Sequence, residues 1–227
     1  DLRDYDSVYK AMKGCDAVMH LAALIGIPYS YNSPTAYIKT NIEGTFNVLE
    51  AAKNLKLKQV IVTSTSEVYG TAKSKNLKES DPISAQSPYA ATKIAADQLS
   101  LSYYKSFNLP VKIIRPFNTF GPRQSLRAVI PTIVSQFIKN KKTIIRVGNL
   151  KATRDFLYVE DLCSAYEKVL KSKKLFGEVV NVGSNFEVSV EEIGKKASGP
   201  FFVKTWDAIL LYDIFLCLKV VAYAKLL

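Results

Sequence analysis

Tyr89 and Lys93 stand four positions apart, and upstream of them runs Thr63-Ser64-Thr65-Ser66-Glu67, a line of hydroxyl side chains closed by a carboxylate. These are proton-transfer residue types. An ammonium beside a phenol favours the phenolate, a hydroxyl can hold the oxygen being deprotonated, and a carboxylate supplies a second base. Ser87 is a good N-cap, Pro88 suits the first helical position, and residues 89–107 contain neither Pro nor Gly, so a helix is expected there. Residues four apart share a helix face, and the positive end of the helix dipole also favours an anion. Tyr89 is therefore expected to act as a base near neutral pH. Spacing alone carries none of this, because Tyr9/Lys13 and Tyr69/Lys73 repeat it. The cap, the hydroxyl cluster and the preceding strand single out Tyr89 and Lys93.

That strand is Val60-Ile61-Val62, apolar and β-branched, which reads as a buried parallel strand over 60–63. The hydroxyl run begins where it ends, and open α/β sheets bind ligands at the carboxyl ends of their strands. Residues 17–21 read as another strand and 110–115 as a third. Between them, 35–53 carries Ile38, Ile42, Thr45, Leu49 and Ala52 on one helical stripe. The alternation predicts an α/β fold, a parallel sheet with helices on both faces. From Gly121 onward, helices at 130–139 and 159–170 alternate with short strands at 143–147 and 179–182.

The 227 residues, 48% hydrophobic, suffice for one domain and part of a second. Cys15, Cys163 and Cys217 are far apart and follow no metal-ligand spacing, so no metal is expected and the setting reads as reducing. A net charge of +11 raises nucleic acid as a partner, but the basic residues are mostly Lys on surface-type helix positions such as Lys53, Lys56 and Lys58. No nucleic acid partner is expected. Residues 209–227 are largely apolar yet contain Asp213, Lys219 and Lys225, which makes a poor membrane span. His20 lies inside an apolar strand and is expected to be structural.

Six segments together resemble a known family. Thr63-Ser64-Thr65-Ser66-Glu67-Val68-Tyr69-Gly70, Ser87-Pro88-Tyr89 with Lys93, His20-Leu21-Ala22-Ala23, Thr40-Asn41 with Gly44-Thr45, Arg115-Pro116-Phe117-Asn118 with Gly121-Pro122-Arg123, and Thr153-Arg154-Asp155-Phe156 follow the order and spacing of the extended short-chain dehydrogenase/reductases. These are the NAD-dependent nucleotide-sugar epimerases and dehydratases, and the resemblance covers residues 1–193. It implies a Rossmann-like doubly wound sheet with part of a smaller α/β substrate lobe, bound NAD, a nucleotide-diphosphate sugar as substrate, a homodimer and a cytoplasmic location. The family begins with a strand, a Gly-rich turn and a helix that have no counterpart here. Asp1-Leu2-Arg3-Asp4 resembles a later family segment, so an amino-terminal loss on the order of sixty residues is expected. The implied layout is a NAD-binding domain over 1–120, a partial substrate lobe with returning sheet elements over 121–197, and an unassigned tail over 198–227 beginning at Ser198-Gly199-Pro200.

The resemblance also distributes roles. Thr65 matches the hydroxyl that bonds the sugar 4-hydroxyl, Tyr89 the base, and Lys93 the residue that holds the nicotinamide ribose and lowers the tyrosine pKa. Asp1, Leu2, Leu21, Ala22, Ala23, Asn41, Ser64 and Pro116 match positions near NAD. Asn118, Arg154 and, less closely, Arg123 match residues that grip the diphosphate, for which a guanidinium fork is well shaped. Thr65-Ser66-Glu67 resembles the catalytic triplet of 4,6-dehydratases, in which Glu removes the C5 proton once C4 is a ketone. Ser66 stands where other dehydratases carry Asp, which leaves a protonated Glu67 or water to serve the departing hydroxyl. The run Ala22-Ala23-Leu24-Ile25-Gly26-Ile27-Pro28-Tyr29-Ser30-Tyr31 and Pro131-Thr132-Ile133 are most similar to dehydratases of legionaminic-acid-type pathways, implying an N-acetylhexosamine substrate in surface-glycan synthesis. A UDP-glucuronate decarboxylase, a UDP-sugar 4-epimerase and an inactive NAD-binding fragment are the alternatives.

Overall fold

A computed structural model describes residues 1–72, 74, 76–139, 145–197 and 222–224. In chain order, α1 (Tyr5–Met12), β1 (Ala17–His20), α2 (Ile27–Asn32), α3 (Pro34–Tyr37), a π-helical turn (Ile38–Glu43) and α4 (Gly44–Asn54) lead to β2 (Gln59–Thr63). A 3₁₀ turn (Ser66–Tyr69), α5 (Pro88–Phe107), β3 (Val111–Pro116), β4 (Asn118–Phe120) and α6 (Val129–Lys139) follow. Then come β5 (Thr153–Tyr158), α7 (Val159–Lys171), β6 (Val179–Val182), β7 (Glu187–Ser189), α8 (Val190–Ala197) and β8 (Ala222–Ala224). Among the described residues there are two compact units, the first built on Asp1–Pro116, Ser164–Val182 and β8, the second on Phe117–Cys163 and residues 183–197.

The first unit is a sheet in the order β6-β3-β2-β1-β8, parallel throughout except for the antiparallel edge strand β8. Val60, Ile61 and Val62 of β2 are fully buried, as a central parallel strand covered on both faces requires. Val8 and Met12 of α1, Val48, Leu49 and Ala52 of α4, and Val111 and Ile113 of β3 close into one apolar core with it. The fold is Rossmann-like α/β. The helix expected at 89–107 is α5, with Pro88 in its first turn and the Ser87 hydroxyl accepting from the Ala90 N–H at 3.1 Å.

The helix expected over 35–53 is instead three pieces. Between α3 and α4 the backbone widens into the π turn, which carries Asn41 into the interior at 1% exposure. Such turns are frequent at functional sites.

The second unit holds a three-stranded sheet, β4 parallel to β5 and β5 antiparallel to β7. Ile130, Ile133 and Val134 of α6 pack with Val190 and Ile193 of α8. Asp155 accepts from the backbone N–H groups of Ser184 and Asn185, each at 2.8 Å. Of the strand expected at 143–147, residues 143–144 lie outside the described residues. The remainder is not in a ladder, because the Gln136 side chain takes both the N–H and the carbonyl of Arg146, at 2.9 and 2.8 Å. The expected tail over 198–227 lies outside the described residues except for β8.

Candidate active site

The site grows from the end of β2. Ser64 extends the β2–β3 pairing through a bond from its N–H to the Ile114 carbonyl at 2.7 Å. Thr65 then turns the chain, its hydroxyl accepting from the Glu67 N–H at 3.2 Å and capping the Ser66–Tyr69 turn. Gly70 closes the turn at φ +68°, where a Cβ would come within 2.6 Å of the Ser84 carbonyl, so no other residue fits. Thr65 and Ser64 are buried, while Ser66 and Glu67 are half-buried.

Tyr89, 6% exposed, meets the Thr65 hydroxyl and packs edge-on to Tyr37 with ring centres 6.3 Å apart. Lys93, 4% exposed, donates Nζ–H to the Thr63 carbonyl at 2.6 Å. The expectation that Tyr89 is poised as a base near neutral pH is corrected here. Burial first, then the neighbouring Glu67, Tyr37 and Asp97, push its phenol up to about 12 against the hydrogen bond from Thr65. Desolvation by tertiary packing outweighs the helix-local effects read from the sequence. Burial likewise brings Lys93 down to about 8, with Asp97 opposing.

Two buried polar groups stand behind this pair, and the sequence reading gave no role to Asp97 in the first or to Thr92 in the second. In one, Asp97 Oδ2 accepts the Arg115 Nε–H at 3.0 Å and forms an ion pair with Arg115 Nη2, also at 3.0 Å. Arg115 also donates to the Tyr69 hydroxyl at 2.8 Å, and Tyr69 donates to Asn181 at 2.8 Å. Burial pushes the Asp97 carboxyl up while Arg115, Ser64 and Lys93 pull it down. Among the described residues, Ser64 Oγ and Asp97 Oδ1 find no partner at hydrogen-bond geometry, although the hydroxyl lies near enough to favour the charged carboxylate.

The other group starts at His20. Thr45 donates its hydroxyl to the Asn41 carbonyl at 2.6 Å, so at 3.0 Å it accepts from His20 Nε2–H. Burial holds His20 down to about 3, so it is neutral and structural, as expected. The Asn41 amide takes both the N–H and the carbonyl of Leu24, at 2.8 and 3.0 Å, and donates to the Thr92 hydroxyl at 3.0 Å. Thr92 donates to the Tyr89 carbonyl at 2.8 Å. With its amide engaged in this way, Asn41 holds the segment after β1 against α5. A weak signal for Asp97 existed in the sequence: it is the one acid in α5, four residues after Lys93.

Leu21, Ala22 and Ala23 follow β1, with Leu21 40% exposed. Asp1 is exposed and paired with Arg3, and the Leu2 carbonyl accepts from Asn47 at 2.8 Å. Pro116 ends β3, half-buried. In the second unit, Asn118 opens β4 and is paired in register with Phe156 of β5, the strand that carries Arg154. Arg154 is exposed and donates to the Thr153 carbonyl at 2.7 Å, and Arg123 is exposed at φ +65°.

Residues 1–201 match the family described as GDP-mannose 4,6 dehydratase. A dTDP-D-glucose 4,6-dehydratase from Dictyostelium discoideum is 38% identical over 192 residues, covering 80% of this chain and 44% of its own length. The crystal structure of a dTDP-glucose 4,6-dehydratase double mutant from Streptomyces venezuelae with NAD bound superposes with a TM-score of 0.81 at 29% identity, covering 87% of this chain and 61% of that one. A UDP-N-acetylglucosamine 4-epimerase from Methanobrevibacter ruminantium, in complex with UDP-N-acetylmuramic acid, gives a TM-score of 0.80 at 34% identity over 86% of this chain and 63% of that one. This chain thus spans about half to two thirds of the length of such relatives. The order of the motifs, the cluster at the end of β2 and these matches agree that the chain belongs to the NAD-dependent epimerase/dehydratase family.

Proposed function

We propose that this chain is the catalytic part of a nucleotide-sugar 4,6-dehydratase that uses bound NAD and acts on a nucleotide-linked N-acetylhexosamine. The observation that carries the reading is the joining of Thr65, Glu67, Tyr89 and Lys93 within one unit, with the Glu67 charge bearing on the Tyr89 phenol. The family comparison supports dehydration. The N-acetyl sugar rests on the likeness of residues 22–31 to legionaminic-type dehydratases.

The residues fit the cofactor in one specific respect. The Lys93 ammonium has three N–H donors, and among the described residues it meets one acceptor, the Thr63 carbonyl, which leaves donors for a ribose diol. NAD, when bound, accepts hydride from C4 of the sugar and returns it to C6. Thr65 holds the 4-hydroxyl, and Tyr89, once its own proton has been lost beside the Lys93 ammonium, takes the 4-hydroxyl proton as C4 becomes a ketone. Glu67 removes the C5 proton, made acidic by that ketone, and the C6 hydroxyl leaves as water with a proton from Glu67 or solvent. A proton regained at C5 completes a 4-keto-6-deoxy sugar. Asn118, Arg154 and Arg123 are assigned to the diphosphate, and Asp1, Leu2, Leu21, Ala22, Ala23, Asn41, Ser64 and Pro116 to the surroundings of NAD.

Among the described residues no helix is long and apolar enough to cross a membrane. The reading includes a homodimer through α4 and α5, supported by Phe46 and Phe107, which are 43% and 54% exposed beside Tyr103. The test of function is mass spectrometry of products after incubation with NAD and either GDP- or UDP-linked N-acetylglucosamine, with UDP-glucuronate alongside. Loss of water from an acetylated sugar is expected. Loss of carbon dioxide from the glucuronate, or inversion at C4 without mass change, overturns the assignment.

A further inference from the structure

We propose that Asp97 is a positioning residue for this reaction, its buried carboxylate keeping the Lys93 ammonium charged so that Lys93 and Tyr89 work as a pair. The inference rests on the role given to Lys93 above.

Asp97 follows Lys93 by one helical turn of α5, on the same face. It is fully buried, and among the described residues it is the one carboxylate in the interior. Lys93 is equally enclosed, and an enclosed lysine tends to shed its proton unless an anion stands close. The other groups around Lys93 do not supply that anion. Thr63 offers a neutral carbonyl from β2, His20 on β1 is neutral, and Tyr89 presents a protonated phenol from α5. Arg115 on β3 is a second cation. Glu67 is half-buried and bears on Tyr89.

The charges thus alternate through the interior: Lys93 positive, Asp97 negative, Arg115 positive. Without Asp97 both Lys93 and Arg115 lose the one interior carboxylate near them. Arg115 does not exhaust the carboxylate, since its Nε–H hydrogen bond and its Nη2 ion-pair contact both fall on Oδ2 and Oδ1 keeps its acceptor capacity. A pair serving only the core has no need of a half-satisfied carboxylate one turn from a functional lysine.

The test is a side-chain NMR titration of Lys93 in the chain carrying ¹³C-labelled lysine, assigned with Lys93→Arg and followed across about pH 6–11. In Asp97→Asn the proton affinity of Lys93 is expected to fall at least about tenfold, one pKa unit. Asp97→Glu, which keeps the charge, restores it to within about threefold of the unsubstituted chain. A folded Asp97→Asn with Lys93 unmoved overturns the proposal. If Asp97→Asn does not fold, Asp97→Thr, which also removes the charge, gives the same reading, and a folded Asp97→Thr with Lys93 unmoved overturns the proposal. The titration needs neither NAD nor sugar. A chain that makes no product therefore leaves this result standing, and an unmoved Lys93 leaves the reaction standing.

Discussion

Lys93 Nζ donates to the Thr63 carbonyl at 2.6 Å, tying the start of α5 to the last residue of β2. The Thr63 hydroxyl lies 2.5 Å from that of Tyr166, so α7 braces the same residue. Lys93 is thereby held by backbone at the end of β2.

Enclosing that ammonium has a measurable cost. Lys93 is brought from 10.5 to about 8 by burial. Between those values the unfolded chain holds the proton more tightly than the folded one, so stability rises with pH across the window, and below it the full cost, on the order of 3 kcal/mol, is present. The urea midpoint of the unliganded chain should climb from about pH 8 to 10. Lys93→Met should abolish the climb and raise the midpoint at neutral pH while abolishing turnover. A flat profile in the unsubstituted chain would count against this.

His20 acts at the other end of the scale. Its folded-state value of about 3 lies well below the ordinary 6.5, so the unfolded chain takes up a proton that the folded chain refuses. The stability it contributes is complete above pH 6.5 and is lost progressively as the pH falls toward 3. His20→Gln should flatten the acid side of a thermal-melt series, and an unchanged slope below pH 6.5 would refute the linkage.

Lys112 is fully buried in β3, with Nζ donating to Gln59 Oε1 at 2.7 Å and to the carbonyls of Val169 and Ser172 at 2.8 and 2.6 Å. It caps the C-terminal end of α7 from within the sheet. Lys112→Met leaves those acceptors unmatched and should lower stability by roughly 1–3 kcal/mol, with turnover per folded molecule unchanged. Chemical denaturation of both forms checks the magnitude.

The local features were readable in the sequence because each depends on neighbours along the chain. Val60-Ile61-Val62 gave β2, Ser87-Pro88 gave the start of α5, and the motif order gave the family. The π turn at Ile38–Glu43 was not readable, because one extra residue in a helical turn leaves the apolar stripe nearly intact. Arg115 and Asp97 are 18 residues apart on different elements, and their pairing exists only after β3 packs against α5. The proton affinity of Tyr89 failed for the same reason, since burial is a property of the packed unit rather than of the Tyr89–Lys93 spacing.

The exposed Phe46 and Phe107 provide a test of assembly. Phe46→Glu places a charge in the proposed α4/α5 interface, and light scattering should show the mass falling from two chains to one. Identical masses for the two forms would contradict the interface.

The central claim is that Glu67 takes the C5 proton after C4 is oxidised. The most direct measurement compares product masses from the unsubstituted protein and Glu67→Gln, each given NAD and the accepted nucleotide sugar. Glu67→Gln is predicted to bind both and to oxidise C4 while losing at least about a hundredfold in water elimination, the scale of a general base. Elimination at the unsubstituted rate would contradict the account.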